Sequence, residues 1–474
     1  MGDEIEKRYF GADDFRNFRE RLETETALLQ GVFRDNEFSQ RGEVAGFELE
    51  AWLIDEAGDP LPVNEAFLEH LNNPLVVPEL AAFNVELNGS PSRITGRLFS
   101  RLHDELASNW NACCRTASEL GCSMLAIGIL PTVQQEMLCA QNMSAQVRYR
   151  SLNDRVLALR DGQPLGIKID GDEPLQTTHA DVMLEAAATS FQIHLQCRPE
   201  NAVRDFNASM IISAPMVAVS ANSPYLFGHS LWDETRIPLF EQAVDVGPNL
   251  LSRVGFGQDY AHESLFEIFE QNRKDYRLLL PAVQTSPAHE FRHVRFHNGT
   301  LWRWNRPLIG FDFDGQPHLR IEHRVVAAGP TLRDSIANSA FYFGLVRGLT
   351  LSGASGDYGL PFEQARANFY RCAREGLNAT VRWPGRKGVQ ERSIRALIVD
   401  DLLPLARNGL QASNIPDAEI DEYLEIIAAR ADSSQNGATW QRRWVARHGT
   451  DMRALVKAYQ ALQQDDVPVH QWSV

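Results

Sequence analysis

The chain has 474 residues, 44% of them hydrophobic and 23% charged, an ordinary globular composition that excludes disorder as its default state. A formal net charge of -16 excludes a general phosphate-backbone binder, because nucleic-acid affinity rests on clustered Lys and Arg. The six cysteines form no CxxC pair and no Cys/His cluster at zinc-finger spacing, which fits a reducing compartment.

The N-terminus lacks the basic and apolar regions of a signal peptide, so a cytoplasmic protein is expected. From Asp13 to Phe33 apolar residues recur at helical spacing behind a capping aspartate, which predicts a helix. Strand-like alternation follows over Gly46–Leu53 and Val85–Asn88. Arg101–Leu120 reads as a helix leading into an apolar strand, Ser123–Leu130, that ends at Pro131. Phe191–Gln196 alternates again. Met210–Leu226 is the most apolar stretch, but Ser213, Pro215 and Ser220 interrupt it, so it predicts a buried segment rather than a membrane span. Leu301–Asn305 and Leu319–Val326 complete the alternating set. Beyond Pro330, helical spacing covers Ser335–Leu349, Pro361–Leu377, Val389–Ala406 and Ile420–Ala429, with a loop marked by Gly353, Gly356, Gly359 and Pro361. These patterns give an α+β protein whose last third is largely helical. The expected arrangement is one domain over 1–474, with an N-terminal helix in 1–35, a sheet region in 36–330 and a mainly helical region in 331–474.

Side chains two apart on a strand share a face. Glu48 and Glu50 lie opposite Phe47, Leu49 and Ala51, and Glu86 and Asn88 lie opposite Val85 and Leu87. Gln192, His194 and Gln196 lie opposite Phe191, Ile193 and Leu195, and Arg320, Glu322 and Arg324 lie opposite Ile321, His323 and Val325. A polar strand face is ordinarily a solvated one, and Arg320, Glu322 and Arg324 alone would make a plain salt-bridge ladder. These faces, however, carry almost no Ser, Thr or Lys. If the strands pair in one sheet, several carboxylates converge and repel unless cations neutralise them. Oxygen ligands with one imidazole suit Mg2+ or Mn2+ rather than zinc, and arginine forks bind phosphate and carboxylate oxygens in pairs. Metal with arginine points to phosphoryl transfer.

In chain order, Gly46–Glu50, Glu86–Asn88, Thr189–His194 and Arg320–Arg324 resemble the metal-binding strands of the glutamate-cysteine ligase family. Ser220–Pro224 followed by Glu234-Thr235-Arg236, and Gly299–Trp302 through Arg306-Pro307, are similar to the same family, and the likeness covers roughly Gly46 to Leu349. The ExE pair and the Arg-Ile-Glu-x-Arg strand also resemble glutamine synthetase, which shares that catalytic fold. The resemblance implies a curved, mostly antiparallel sheet with a concave catalytic face and helices on its convex face. It implies Glu48, Glu50, Glu86, His194 and Glu322 as metal ligands, Arg320 on the ATP phosphates, and Arg324 on the transferred phosphoryl group or the substrate carboxylate. The implied reaction joins the side-chain carboxylate of glutamate, or a similar acid, to an amine such as cysteine, using ATP and Mg2+ with Mn2+ as the alternative ion. The implied partners are small-molecule acid and amine substrates, with neither nucleic acid nor membrane, and the chain is open to homo-oligomer formation. No stretch matches a cysteine pocket, which leaves the amine open. A phosphagen-type kinase and a non-catalytic cation- or nucleotide-binding relative are the alternatives on the same sheet. No Walker A, HExxH or GxSxG sequence occurs. Trp302 and Trp304 share a strand face and are read as core packing or an adenine stack, Asn338 as a helix cap, a surface residue or a site residue, and His262, His289, His293 and His297 as structural.

Overall fold

The computed structural model describes residues 4–353, 358–385 and 388–474. Gly356 of the predicted loop and the first three residues of the N-terminus lie outside the described residues. The centre is an eight-stranded sheet formed by β1 (Val44–Ile54), β2 (Val76–Pro78), β3 (Asn84–Asn88), β4 (Ser92–Arg93), β5 (Ser123–Leu125), β6 (Phe191–Cys197), β7 (Asn305–Phe311) and β8 (Pro317–His323). The order is β7-β8-β6-β1-β3-β2, with β4 and β5 paired to the two ends of β1. Every pairing is antiparallel, and the sheet curls into a half-barrel. The longest strand, β1, stands at the middle because its alternation suits burial on both sides: Phe47, Leu49 and Ala51 are inaccessible on one face, while the carboxylate of Glu50 is almost fully covered on the other.

The apolar face is closed by helices. The chain begins with α1 (Ala12–Arg34). It continues through α2 (Leu98–Glu119), α3 (Val147–Leu159), α4 (Ala202–Ser220), α5 (Arg292–Gly299) and α6 (Leu332–Leu351). The end of the chain is formed by α7 (Phe362–Glu375), α8 (Leu403–Ala412), α9 (Asp417–Ser433), α10 (Gly437–His448) and α11 (Met452–Gln464). The predicted apolar segment is α4, whose residues from Asp205 to Ser220 are all buried, and no helix among the described residues is long and apolar enough to cross a membrane. α4 packs on β7 and β8 and against α6 and α7, while α6 in turn packs against α2, α8 and α9. α6 and α8 approach so closely that a Cβ at Gly344 would collide with the Ala406 carbonyl. His323 belongs to this side of the sheet: it stacks on Tyr342 with ring centroids 4.6 Å apart, and its Nδ1 meets Asn305 Oδ1 at 2.7 Å.

Several predicted elements differ. The strand expected over Ser123–Leu130 stops at Leu125, because Ala126 and Ile127 turn their carbonyls to side chains instead, Ala126 to Tyr459 and Gln463, Ile127 to Trp52 and Thr189. The helix expected from Val389 begins only at Ile394. Thr380–Gly385 and Gly388–Ser393 pair as antiparallel strands, with Val381 and Trp383 alternating inward. Leu301–Asn305 is not one strand: Trp302–Arg303 pairs in parallel with Val254–Gly255, and β7 starts at Asn305. Asn338 is neither a cap nor a surface residue nor a site residue; it is buried behind the sheet and accepts from Arg430 Nη1 at 2.7 Å.

At the start of α4, Asp205 is buried and accepts from Thr350 Oγ1 at 2.7 Å. Burial pushes its carboxyl up to about 7, against the Thr350 bond. A folded-state value above the unfolded one means that its contribution to stability is full below about pH 4 and is lost as pH rises through about 7. Asp205→Asn keeps the acceptor for Thr350 and removes the titration. The variant is expected to match the wild type below about pH 4 and to exceed it at pH 8 by about 4 kcal/mol in denaturant unfolding. Parallel pH profiles for the two proteins would contradict this reading.

Candidate active site

The polar face is built by register. Glu50 stands opposite Glu86 across β1 and β3, Glu48 opposite Gln192 across β1 and β6, and Glu322 opposite His194 across β8 and β6. These pairings divide the sheet's acids into two clusters, Glu48 with His194 and Glu322, and Glu50 with Glu79 and Glu86; within each, the ligand atoms lie within 4.8 Å of one another. All five predicted ligands are thus brought together, and the ExE pair is split, one glutamate to each cluster. The sixth member, Glu79, is absent from the sequence prediction. It follows the three-residue strand β2, where no alternation exists to reveal it.

The second cluster is held in a strained electrostatic state. Burial and then the Glu48 charge push Glu86 up to about 7, and burial and then the Glu86 charge drive Glu79 well above the usual carboxylate range. Burial also raises Glu50, against the pull of Arg324. The Ser190 amide and the Gln192 side chain donate to Glu50 at 2.6 and 2.9 Å, and the Asn88 side chain donates to Glu86 at 3.0 Å. One oxygen each of Glu79 and Glu86 remains buried and without a partner. In the first cluster burial opposes ionisation, but His194 outweighs it and brings Glu48 down to about 2. Arg306 and Arg324 likewise hold Glu322 far below the usual range despite its burial. Neither nitrogen of His194 makes a hydrogen bond, although Glu48 Oε1 lies 3.4 Å from Nε2. Atoms of Glu79, Glu86 and His194 that are buried without a partner, set in two groups of three ligand residues, fit hard divalent cations.

The predicted arginines part company. Arg324 donates to Gln192 and, at 3.2 Å, to Glu322. Arg320 makes no hydrogen bond or ion pair among the described residues, so the plain ladder is half formed. A further arginine fills the gap: Arg306, opposite Glu322 in the β7–β8 register, donates to both of its carboxylate oxygens at 2.8 and 3.0 Å. Its strand position is invisible from the sequence because the run begins at a proline-containing edge strand. Arg236, fully buried, secures the end of β8 from behind: its guanidinium donates to the carbonyls of Arg324 and Val325 and pairs with Glu234 at 3.1 Å. Glu234 also accepts from Asn222 N and Ser223 Oγ, each at 2.9 Å. The Ser220–Pro224 and Glu234–Arg236 stretches therefore form a bracket for Arg324.

Beside the first cluster is a cavity of 230 Å³ bounded by Glu48, Glu322, Arg306 and Arg320 on the sheet and by Arg295 and Phe296 of α5. Trp302 joins its apolar wall, whereas Trp304 is buried and donates to Glu241 at 2.8 Å, so the two tryptophans do not act as a pair. The wall helix α5 has eight residues, and its N-cap residue, Phe291, has no side-chain acceptor to cap it. Glu25 of α1 takes that place, accepting from the backbone amides of His293 and Val294 at 2.7 and 3.1 Å and meeting His293 Nδ1 at 2.6 Å. His297 is also structural, with Nε2 2.9 Å from the Asn272 carbonyl.

A model of glutamate-cysteine ligase family 2 matches residues 44–461. Among solved structures, the fold is similar to a glutamate-cysteine ligase from Francisella tularensis in complex with AMP, with TM-score 0.56 and 11% identity over 92% of this chain and 90% of that one. It is also similar to a bifunctional glutathione synthetase from Pasteurella multocida, with TM-score 0.52 and 12% identity, over 94% of this chain but only 55% of that one. At these identities the likeness is one of fold. None of the curated proteins matches the chain in sequence.

Replacing Glu79 by Gln removes one repelling carboxylate and one ligand together. The variant is expected to be more stable than the wild type at pH 8 without divalent ions, by about 1–2 kcal/mol in denaturant unfolding. It is also expected to bind Mn2+ at least tenfold more weakly by electron paramagnetic resonance. Unchanged Mn2+ binding would remove Glu79 from the site.

Proposed function

The chain belongs to glutamate-cysteine ligase family 2, and from that premise we propose that it is an ATP-dependent carboxylate-amine ligase acting on the side-chain carboxylate of glutamate or a similar acid. The observation that carries this reading is the pair of carboxylate clusters built on one sheet, the first of which borders an arginine-lined cavity. A carboxylate is a poor acyl donor at neutral pH, since its carbonyl is electron-rich and its leaving oxygen is poor. Transfer of the γ-phosphoryl group of ATP to it gives an acyl phosphate and ADP. An amine then attacks the acyl carbon, phosphate departs, and the amine's proton is lost to solvent or a base.

Divalent ions held by Glu48, His194 and Glu322 and by Glu50, Glu79 and Glu86 would neutralise charge that builds on phosphoryl oxygens. Arg320 and Arg306 face the cavity and would take up triphosphate oxygens, which a planar fork binds in pairs. Arg324, held to Gln192 and Glu322 and braced from behind by Arg236, lies between the two clusters and would orient the transferred group or the acid. Arg295 and Phe296 of α5 border the cavity and would limit the access of water, which competes with the amine for an acyl phosphate. The whole chain acts in this reading as one catalytic unit in the cytoplasm, with Mg2+ as the ion and Mn2+ as its substitute.

The decisive measurement is ADP release from ATP and glutamate across a panel of amino acids and amines, with the product identified by mass spectrometry. The expected product carries a new C–N bond. Glu48→Gln is expected to lower turnover at least a thousandfold while leaving the circular dichroism spectrum unchanged. A phosphorylated product with no C–N bond, or full activity in the variant, would overturn the assignment.

A further inference from the structure

Arg306 and Glu322 face each other across β7 and β8. The guanidinium grips both carboxylate oxygens, Nε to Oε2 at 2.8 Å and Nη2 to Oε1 at 3.0 Å, and Arg324 adds a bond to Oε2 at 3.2 Å. The same carboxylate belongs to the cluster with Glu48 and His194. Glu322 is therefore claimed twice, by a bidentate arginine and by a cation site. A doubly charged ion within a few ångströms of a guanidinium repels it strongly where both are buried, as Glu322 and Arg306 are. Arg306 and a divalent cation compete for one residue.

The cavity supplies the other half of the arrangement. Arg306, Glu322 and Arg320 all border it, and Arg320, two residues from Glu322 on the same strand face, has no partner among the described residues. The remaining guanidinium nitrogen of Arg306, Nη1, is tethered to the Gly299 carbonyl at 3.3 Å, at the cavity's α5 edge. A guanidinium loosened from Glu322 thus stays at the cavity mouth beside a second free cation, where an anion finds both. We propose that Arg306 is a latch. It neutralises Glu322 while the cluster holds no cation and turns to the phosphate oxygens of the nucleotide once Glu322 is taken, so that cation and nucleotide each strengthen the binding of the other. This inference rests on the nucleotide reading of the cavity given above.

The test is Mn2+ binding to the full-length protein by electron paramagnetic resonance, with and without a non-hydrolysable ATP analogue. Wild type, Arg306→Met, Arg306→Lys and Arg320→Met are compared. Without nucleotide, Arg306→Met is expected to bind Mn2+ at least tenfold more tightly than wild type. Arg320→Met, which removes the same charge from an unpaired side chain, is expected to shift the affinity by less than threefold. Arg306→Lys should fall between them, since an ammonium cannot span both oxygens. With the analogue present, wild type should gain at least tenfold in Mn2+ affinity and Arg306→Met much less. Equal affinities in wild type and Arg306→Met without nucleotide, or equal rises in Arg306→Met and Arg320→Met, overturn the latch. Should Arg306→Met fail to fold, tighter binding by Arg306→Lys supports the proposal and unchanged binding refutes it. A wild type that binds the analogue with Mn2+ while the Arg306 variants behave like it sinks the latch alone; one that binds neither sinks the nucleotide reading as well.

Discussion

Repulsion among buried carboxylates is the constraint around which this molecule is organised. Three acids within 4.8 Å of one another, inside a sheet whose other face is sealed by helices, form an arrangement that the folded chain does not need for stability. It persists because the surrounding structure fixes every strand that carries an acid. β1 is hydrogen-bonded on both sides, α4 and α6 fill the back of the sheet, and Arg236 pins the end of β8 through backbone carbonyls. The two clusters manage their charge differently. The first is compensated internally by His194, Arg306 and Arg324, so that its acids stay ionised; in the second, Arg324 and Arg236 pull on Glu50 but burial prevails, and its acids are reluctant to ionise.

Strand alternation made much of this legible in the sequence. Glu48, Glu50, Glu86, His194 and Glu322 are found together because a period of two, read on four separate segments, puts each of them opposite an apolar row. What alternation does not convey is register. Glu322 meets His194 and Arg306 because β8 is flanked by β6 and β7 in a particular alignment, and no local pattern encodes that. Glu79 lies outside any alternating run, and its role comes only from the fold of the chain around β2. The strand pair before Ile394 was hidden for a related reason: Val389 to Ala406 joins a short strand to a helix, and apolar residues across such a junction mimic helical spacing.

The back of the sheet shows how motifs without reactive groups serve the site. The asparagine, serine and glutamate of the Ser220–Pro224 and Glu234–Arg236 stretches do not line the arginine-rich cavity; they satisfy one another and a buried guanidinium, and that guanidinium sets the carbonyls beside Arg324. Arg430 plays a comparable part further back, joining Asp334 at 2.7 Å and Asn338 at 2.7 Å to tie α9 onto α6. Polar groups are thus spent on fixing geometry where a sheet of apolar contacts alone would allow slippage.

The cap that α1 provides for α5 has a consequence for how the molecule assembles. Glu25 and His293 are separated by 268 positions, so their meeting closes a very long loop, and a helix of eight residues has little stability before it does. The acids of β1 and β3 are neighbours in the chain and pair early, whereas the wall opposite them depends on the first helix finding a segment synthesised much later. Glu48, Glu50 and Glu86 can therefore come together before the chamber above them is closed, whereas Glu322 and the wall both await later parts of the chain.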